Sequence, residues 1–369
     1  KYLTFTLENL NLAGLNTPVP VIGLPIGISF FTFQALSYVL DVAMGTAQVQ
    51  RNPLWLGLYI SLFPQLIAGP IVKYSTVADE IEGRRETWAD FSSGCCRFIV
   101  GLGKKVLLSN QLAVVADAAW DTPIGDLSAA LAWLGALCYT LQIYYDFSGY
   151  SDMAIGLGKL FGFHFLDNFN YPYLSRSVTE FWRRWHISLT TWFREYLYIP
   201  LGGSRKGNWR TVRNIFIVWF CTGFWHGASW NFILWGLHFF VWLMLEKYLL
   251  KGLIAKLPVW LRHVYTLIVV FAGWGVFAME DLSVCGQYFR TCFGGGALWS
   301  DTDGYYLMSY GLTLAILAVG STHLVKNTWN RLPERARDVL GPVLMLAGLV
   351  VCTAYLVDGS YNPFLYFRF

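Results

Sequence analysis

Charged residues are scarce in this 369-residue sequence. Lys, Arg, Asp and Glu make up 14% of it, whereas soluble domains average about 25%. Hydrophobic residues reach 55%, aromatic residues 18%, and the mean hydropathy is +0.44. This balance excludes an ordinary soluble protein and indicates an integral membrane protein whose main contact is the lipid bilayer. We expect no nucleic-acid partner.

Several other signals are also missing. The seven cysteines show neither the spacing of a metal site nor a disulfide framework, so we predict small packing residues and no metal. The glycine run 294–296 lacks the lysine and helix signals of a phosphate-binding loop. No internal repeat is evident, so an inverted-repeat transporter has little direct support. No cleavable leader is recognisable near Lys1.

Long apolar runs are what the sequence does have. A hydrocarbon core about 30 Å thick takes about 20 residues to cross. The run at 52–72 contains helix-breaking prolines, which predicts either a broken or re-entrant helix beside a cavity or a plain proline kink. The predicted fold is all-α, a single polytopic membrane domain over 1–369. We predict spans at 20–43, 52–72, 94–117, 127–147, 212–229, 230–249, 259–278, 305–325 and 339–357.

Positive charges cluster between these runs. Because Lys and Arg are enriched in cytoplasmic loops, the clusters are predicted to face the cytoplasm. The spans between them do not alternate cleanly, so some segments are predicted to be re-entrant or interfacial. The clusters lie at 73–105, 176–213, 247–262 and 326–337.

The segment 176–210 carries the most unusual pattern. Large apolar residues recur at helical spacing from Trp182 to Tyr196, with arginines on the other faces, which predicts one interfacial helix ended by Pro200. His186 lies at the edge of this stripe beside Arg183. Taken alone, this histidine is either a hydrogen-bonded structural residue or a catalytic group.

A second histidine lies in residues 221–231, CTGFWHGASWN. His226 falls inside an apolar span, where an ionisable side chain is costly and usually faces a functional cavity. Gly223 and Gly227 are four residues apart and should let another helix approach closely. The alternative is a packed histidine bonded to a backbone carbonyl.

Two carboxylates, Asp146 and Asp152, end an aromatic span. They are predicted to orient a histidine or to pair with an interfacial arginine. The remaining four histidines are predicted to be structural. They are His164, His238, His263 and His323.

These motifs together resemble the membrane-bound O-acyltransferase superfamily, in its bacterial alginate O-acetyltransferase branch. The resemblance covers about residues 24–242 and becomes general beyond 250. Members typically carry further N-terminal spans, so we expect this chain to lack the beginning of the family body. The matching stretches are 24–30 (LPIGISF), 63–70 (FPQLIAGP), 145–156 (YDFSGYSDMAIG), 181–189 (FWRRWHISL), 196–203 (YLYIPLGG) and 225–227 (WHG).

The resemblance implies a ring of tilted helices around a central funnel or tunnel, with re-entrant and interfacial helices. It assigns the family's hallmark histidine to His226 and its second important histidine to His186. Both are therefore predicted to be catalytic, although only tertiary folding brings them together. Further residues are predicted to line the tunnel or bind substrate: Gln65, Asp146, Arg183, Arg184, Trp225 and Asn231.

The implied reaction takes acetyl groups from cytoplasmic acetyl-CoA across the bacterial inner membrane for O-acetylation of an exopolysaccharide. Arg205 and Lys206 would meet the phosphates of acetyl-CoA, a substrate rather than a bound cofactor. An extracytoplasmic serine-esterase-like protein would pass the acetyl group to the polymer. The alternatives are a sister subunit for peptidoglycan O-acetylation or teichoic-acid D-alanylation and, more remotely, a non-enzymatic transporter.

Overall fold

The regular structure is helical throughout the described ranges, which confirms the all-α prediction. The computed structural model describes residues 2–20, 23, 25, 27–66 and 69–359. The helices are α1 Tyr2–Leu12, α2 Ile28–Ala43, α3 Pro53–Ser61, α4 Phe63–Leu66, α5 Tyr74–Gly83, α6 Trp88–Gly103, α7 Asn110–Asp121, α8 Ala129–Leu160, α9 Val178–Arg184, α10 Ile187–Phe193, α11 Asn208–His226, α12 Trp230–Leu245, α13 Lys251–Lys256, α14 Val259–Ala278, α15 Leu282–Cys292, α16 Asp301–Gly320, α17 Leu324–Arg331 and α18 Glu334–Asp358.

Four helical runs of the described chain are long and apolar enough to cross a membrane. They confirm the spans predicted at 94–117, 230–249, 259–278 and 339–357. A fifth candidate is α16 with α17, two helices bent by 71° at a short break. The four runs are Trp88–Asp121, Trp230–Lys256, Val259–Ala278 and Glu334–Asp358.

The predicted break within 52–72 is present as a broken helix. The helix α3 ends at Ser61, and α4 adds a single turn that begins at Phe63 and contains Pro64. Gly69 then folds back so closely that a Cβ there would lie 2.7 Å from the Gln65 Cα. Ile67 and Ala68 lie outside the described residues, as do Val21, Ile22, Leu24 and Ile26 of the predicted span 20–43.

Glycines hold α6 against α8. A Cβ on Gly101 would lie 2.5 Å from the Gly149 carbonyl oxygen, and a Cβ on Gly94 would lie 2.8 Å from that of Gly156. Gly94 and Gly101 are seven residues apart on α6, and Gly149 and Gly156 are seven residues apart on α8, about two turns in each case. The two backbones therefore touch along one seam. Larger side chains at these positions would push the helices apart.

The segment 176–210 departs from its prediction. It forms two short helices, α9 and α10, instead of one, because the backbone of His186 adopts a left-handed conformation with φ 44° and ψ 56°. The first helix begins at Ser177, whose hydroxyl accepts from the Glu180 amide. At the break, the Asn168 carbonyl accepts from the Ile187 amide at 2.9 Å, and its side-chain oxygen accepts from the Ser188 amide at 3.0 Å.

Candidate active site

His226 is the last residue of α11. The prediction that it lies inside a span is therefore wrong, because Gly227 takes an extended conformation that ends the helix before α12. The imidazole lies among aromatic rings, with ring centroids 4.8 Å from Trp225, 4.9 Å from Trp235 and 5.3 Å from Phe277. It is partly buried. The ring is thus held by packing at the turn between two helices.

The close approach predicted at Gly223 and Gly227 is confirmed. A Cβ on Gly223 would collide with the Phe232 carbonyl oxygen, and one on Gly227 would collide with the Phe232 ring. Gly236 completes the contact from α12, since its Cβ would collide with the Trp219 carbonyl oxygen. Because α11 and α12 touch along backbone atoms, the position of His226 is fixed by the packing of both helices.

His186 is buried, with 4% of its surface exposed. Its ring stacks on Phe30 at a centroid distance of 6.5 Å and contacts Phe169 at 6.2 Å. Within the described residues its Nδ1 atom has no hydrogen-bond partner. Burial lowers the pKa of His186 well below its ordinary value, so the ring is neutral near pH 7. A neutral imidazole can accept or donate one hydrogen bond to a bound molecule.

The two histidines border one cluster of aromatic rings. On one side, Phe30 stacks on His186 and lies 5.5 Å from Trp225, the residue before His226. On the other side, Trp185 lies 4.8 Å from Trp274, whose ring is 6.1 Å from that of Trp235. Trp235 contacts His226 directly. Tertiary folding therefore brings the two predicted catalytic residues to the edges of the same cluster.

A cavity of about 1340 Å³ opens beside this cluster. Its walls include Ile187, which follows His186, and Thr222, which lies one turn before His226 on α11. Trp182 and Trp219 form part of its apolar lining. We call this space the cationic cavity because its lining includes six basic residues. They are Arg176, Arg183, Arg194, Lys247, Lys251 and Arg262.

The cationic cavity carries a positive charge surplus. Two carboxylates line it, Glu180 and Glu246. Glu180 pairs with Arg184 at 2.7 Å, and Glu246 accepts from the backbone amides that begin α9. With both carboxylates engaged in structural contacts, the six cations favour an anionic ligand. The volume exceeds the roughly 300–1,000 Å³ typical of small-molecule sites.

Three predicted tunnel residues lie near the aromatic cluster or line the cationic cavity. Trp225 packs on Phe30, and its indole nitrogen donates to the Ser29 carbonyl at 3.5 Å. Asn231 is fully buried and donates to the Phe277 carbonyl at 3.0 Å, while its side-chain oxygen has no partner within the described residues. Arg183 lines the cationic cavity.

The other predicted residues lie elsewhere. Gln65 is fully buried and donates to the Tyr59 carbonyl at 2.7 Å, and Arg184 pairs with Glu180. Asp146 forms a buried ion pair with Lys105, a lysine on a π-helical turn, where an arginine or histidine partner was expected. Asp152 pairs with Arg97 of α6 at 2.9 Å, and not with an arginine of the 176–210 segment as expected.

Arg205 and Lys206 lie in the exposed turn before α11, and neither lines the cationic cavity. The cations that do line it come from three separate parts of the chain. In the sequence, the basic cluster 247–262 is separate from the cluster 176–213 that contains Arg183. Spacing alone therefore could not place Lys247, Lys251 and Arg262 in the same cavity as Arg183. Trp182 was recognised only as part of an aromatic stripe.

These features define a polytopic helical membrane protein with two histidines at the edges of an aromatic cluster and a positively charged cavity near it. The family model for the membrane-bound O-acyltransferases matches residues 47–287, more than half of the chain. The chain belongs to this family.

Several similar proteins are described as O-acetylases or O-acetyltransferases. A "Probable alginate O-acetylase AlgI" of Pseudomonas putida is 38% identical over all of this chain and 81% of the relative. One of the same description from Pseudomonas fluorescens is 46% identical over 80% of this chain, which spans 59% of that relative's length. A "Peptidoglycan O-acetyltransferase" of Helicobacter pylori is 39% identical over 64% of this chain and 50% of the relative.

Proposed function

We propose that this protein is an O-acetyltransferase that moves acetyl groups from acetyl-CoA for O-acetylation of an alginate-like exopolysaccharide. The observation that supports the proposal most is the cationic cavity, whose lining combines six basic residues with Trp182 and Trp219, and Trp182 contacts the Trp235 ring beside His226. The alginate O-acetylases supply the acceptor class by similarity. The bacterial inner membrane is the matching location, since the donor is cytoplasmic.

The donor fits the cavity by charge and shape. Acetyl-CoA carries phosphates at one end and an uncharged thioester arm at the other. Arg176, Arg183 and Lys251 of the cavity lining would meet the phosphates, because ammonium and guanidinium groups form charge-assisted hydrogen bonds with phosphate oxygens. The uncharged arm would follow the apolar wall past Trp219 towards Thr222, one turn from His226.

The chemistry is transfer of an acyl group between sulfur and oxygen. His226 acts as general base and takes the proton of the acceptor hydroxyl, whose oxygen attacks the thioester carbonyl carbon. The carbon–sulfur bond then breaks, and the proton goes to the leaving thiolate. His186, neutral and with Nδ1 free of a described protein partner, donates to or orients the reacting oxygen.

The acceptor side involves a partner. An extracytoplasmic serine-esterase-like protein would receive the acetyl group and deliver it to the polymer. A second candidate acceptor is peptidoglycan, because the Helicobacter pylori relative shares 39% identity with this chain. The two functions use the same donor and differ in the partner protein and the polymer. Incubation with either alginate-type polymer or peptidoglycan, each with its matching partner, shows which polymer becomes acetylated.

The donor site is tested by removing positive charges from the lining of the cationic cavity. Arg183→Ala and Lys251→Ala should each raise the KM for acetyl-CoA and leave kcat within about threefold, since they contact bound phosphates in both ground and transition states. The matched controls are Arg205→Ala and Lys206→Ala, which remove the same charges outside the cavity. The opposite result, a raised KM in the two control variants and an unchanged KM in Arg183→Ala and Lys251→Ala, would place the donor site at the exposed turn.

A further inference from the structure

The backbone at the start of α10 is capped by a residue from a distant part of the chain. His186 occupies the N-cap position of this helix, and its side chain makes no capping hydrogen bond. An N-cap side chain usually accepts from the amide two or three residues ahead, which is why Ser, Thr, Asp and Asn are preferred there. Here Asn168 supplies the acceptors. Its carbonyl accepts from the Ile187 amide at 2.9 Å, and its side-chain oxygen accepts from the Ser188 amide at 3.0 Å.

This distant cap leaves the imidazole free for other contacts. A side chain that caps its own helix must turn back towards the backbone of that helix. Because Asn168 provides the capping oxygen, the ring of His186 packs instead against Phe30 and Phe169, at centroid distances of 6.5 and 6.2 Å. Phe169 directly follows Asn168 in the chain. One short segment therefore contacts both the backbone beside His186 and its ring.

The same segment holds a backbone conformation that histidine rarely adopts. His186 has φ 44° and ψ 56°, a left-handed geometry that persists in L-residues only where the surrounding structure enforces it. Asn168 is buried, with 3% of its surface exposed. A further hydrogen bond supports the break, since the Asn170 amide donates to the Arg184 carbonyl at 2.9 Å. The direction of the His186 ring thus depends on contacts made by residues 168–170.

We propose that Asn168 is a positioning residue, which caps α10 in place of His186 and thereby directs the imidazole of His186 at the reacting oxygen. This inference rests on the proposed function, because Asn168 acts through the role that His186 has in acetyl transfer. Its loss should therefore lower the rate of transfer and leave the binding of acetyl-CoA unchanged.

The test compares two asparagines of one segment. Asn168→Ala removes the oxygen that accepts from the Ser188 amide. Asn170→Ala is the matched control, because Asn170 is exposed and its described contacts with Arg184 come from its own backbone. In acetyl-CoA turnover by the purified full-length protein with its partner, kcat should fall about 10- to 100-fold for Asn168→Ala, the effect of a small displacement of a reacting group. The KM for acetyl-CoA should stay within about threefold in both variants, and so should the kcat of Asn170→Ala.

Two further variants separate positioning from a general loss of structure. Asn168→Asp keeps a capping oxygen at the same place, and aspartate caps helices about as well as asparagine does, so kcat should return to within about fivefold of wild type. Asn168→Ala combined with His186→Asn should turn over no more slowly than His186→Asn alone, because the ring through which Asn168 acts is already absent. Losses that multiply in the double variant would show that Asn168 acts by another route and would overturn the proposal.

A kcat of Asn168→Ala equal to that of Asn170→Ala would also overturn the proposal while wild-type turnover persisted, and equal losses in Asn168→Asp and Asn168→Ala would contradict capping as the cause. Absence of wild-type turnover would instead contradict the proposed function. Should Asn168→Ala fail to accumulate in the membrane, Asn168→Leu keeps much of the shape of the side chain and lacks its oxygen. The same loss of kcat is expected from that variant, and full turnover would equally refute the proposal.

Discussion

The left-handed backbone of His186 allows its chemistry to be separated from its role in the fold. With φ 44° and ψ 56°, this residue occupies a conformation that costs most L-residues about 1–2 kcal/mol. Asparagine adopts it more readily than alanine does, because its short polar side chain bonds locally. His186→Asn should therefore keep the break between α9 and α10, whereas His186→Ala adds a backbone penalty of about that size.

The two variants should differ in stability and agree in activity. Removing one group that stabilises a developing oxyanion lowers kcat by about 10²–10³-fold. We expect this loss in both variants if the neutral imidazole contacts the reacting oxygen. Thermal unfolding in detergent should rank wild type and His186→Asn above His186→Ala.

The assay is polymer acetylation in cells at matched protein level, together with acetyl-CoA turnover by the purified protein. A His186→Asn variant that acetylates near the wild-type rate would refute the catalytic assignment. Activity that fell only in proportion to protein abundance would show that His186 shapes the fold alone.

Three further predictions concern packing, pH and topology. Gly101→Ala should destabilise the protein by about 1–3 kcal/mol in thermal unfolding, because its Cβ would meet the Gly149 carbonyl oxygen at 2.5 Å. The matched control is Gly103→Ala, whose Cβ meets nothing within 4 Å, so this variant should be neutral in the same assay. The Glu80 and Asp90 carboxylates accept hydrogen bonds from the His164 ring and raise the pKa of His164. The stability lost in His164→Gln should therefore be full below the ordinary pKa of about 6.5 and vanish as pH rises through the raised pKa; an equal loss at all pH values would contradict this. The basic connections should face the cytoplasm, so Ser204→Cys should resist labelling from outside intact cells, and strong labelling would reverse the topology.

Much of the fold follows from hydrophobic run length. The spans at 230–249 and 259–278 are predicted well because a crossing helix needs about 20 apolar residues and little else. The break at 52–72 was also visible, since proline removes a backbone donor. The break at His186 was not, because it depends on hydrogen bonds to Asn168, a residue 18 positions earlier in the chain.

The helix packing beside His226 was predictable from the sequence, and the residues that surround the two histidines were not. His226 stood out because a histidine among glycines in an apolar run is unusual, and the close contact of α11 with α12 followed from the spacing of Gly223 and Gly227. The cationic cavity collects arginines and lysines from residues 176–194, 247–251 and 262, and no local pattern relates such distant segments. The ion pair between Lys105 and Asp146 was not predicted for the same reason.

The proposed acetyl transfer depends most directly on proton transfer by His226. Glutamine keeps much of the shape and hydrogen bonding of histidine and cannot take up a proton, and general-base assistance contributes about 10²–10⁴-fold to rate. Acetyl-CoA turnover by purified His226→Gln, measured with the partner protein and at wild-type abundance, should therefore fall by at least about 10²-fold. Turnover near the wild-type rate would contradict general-base catalysis by His226 and leave this histidine as a packing residue between Trp225 and Trp235.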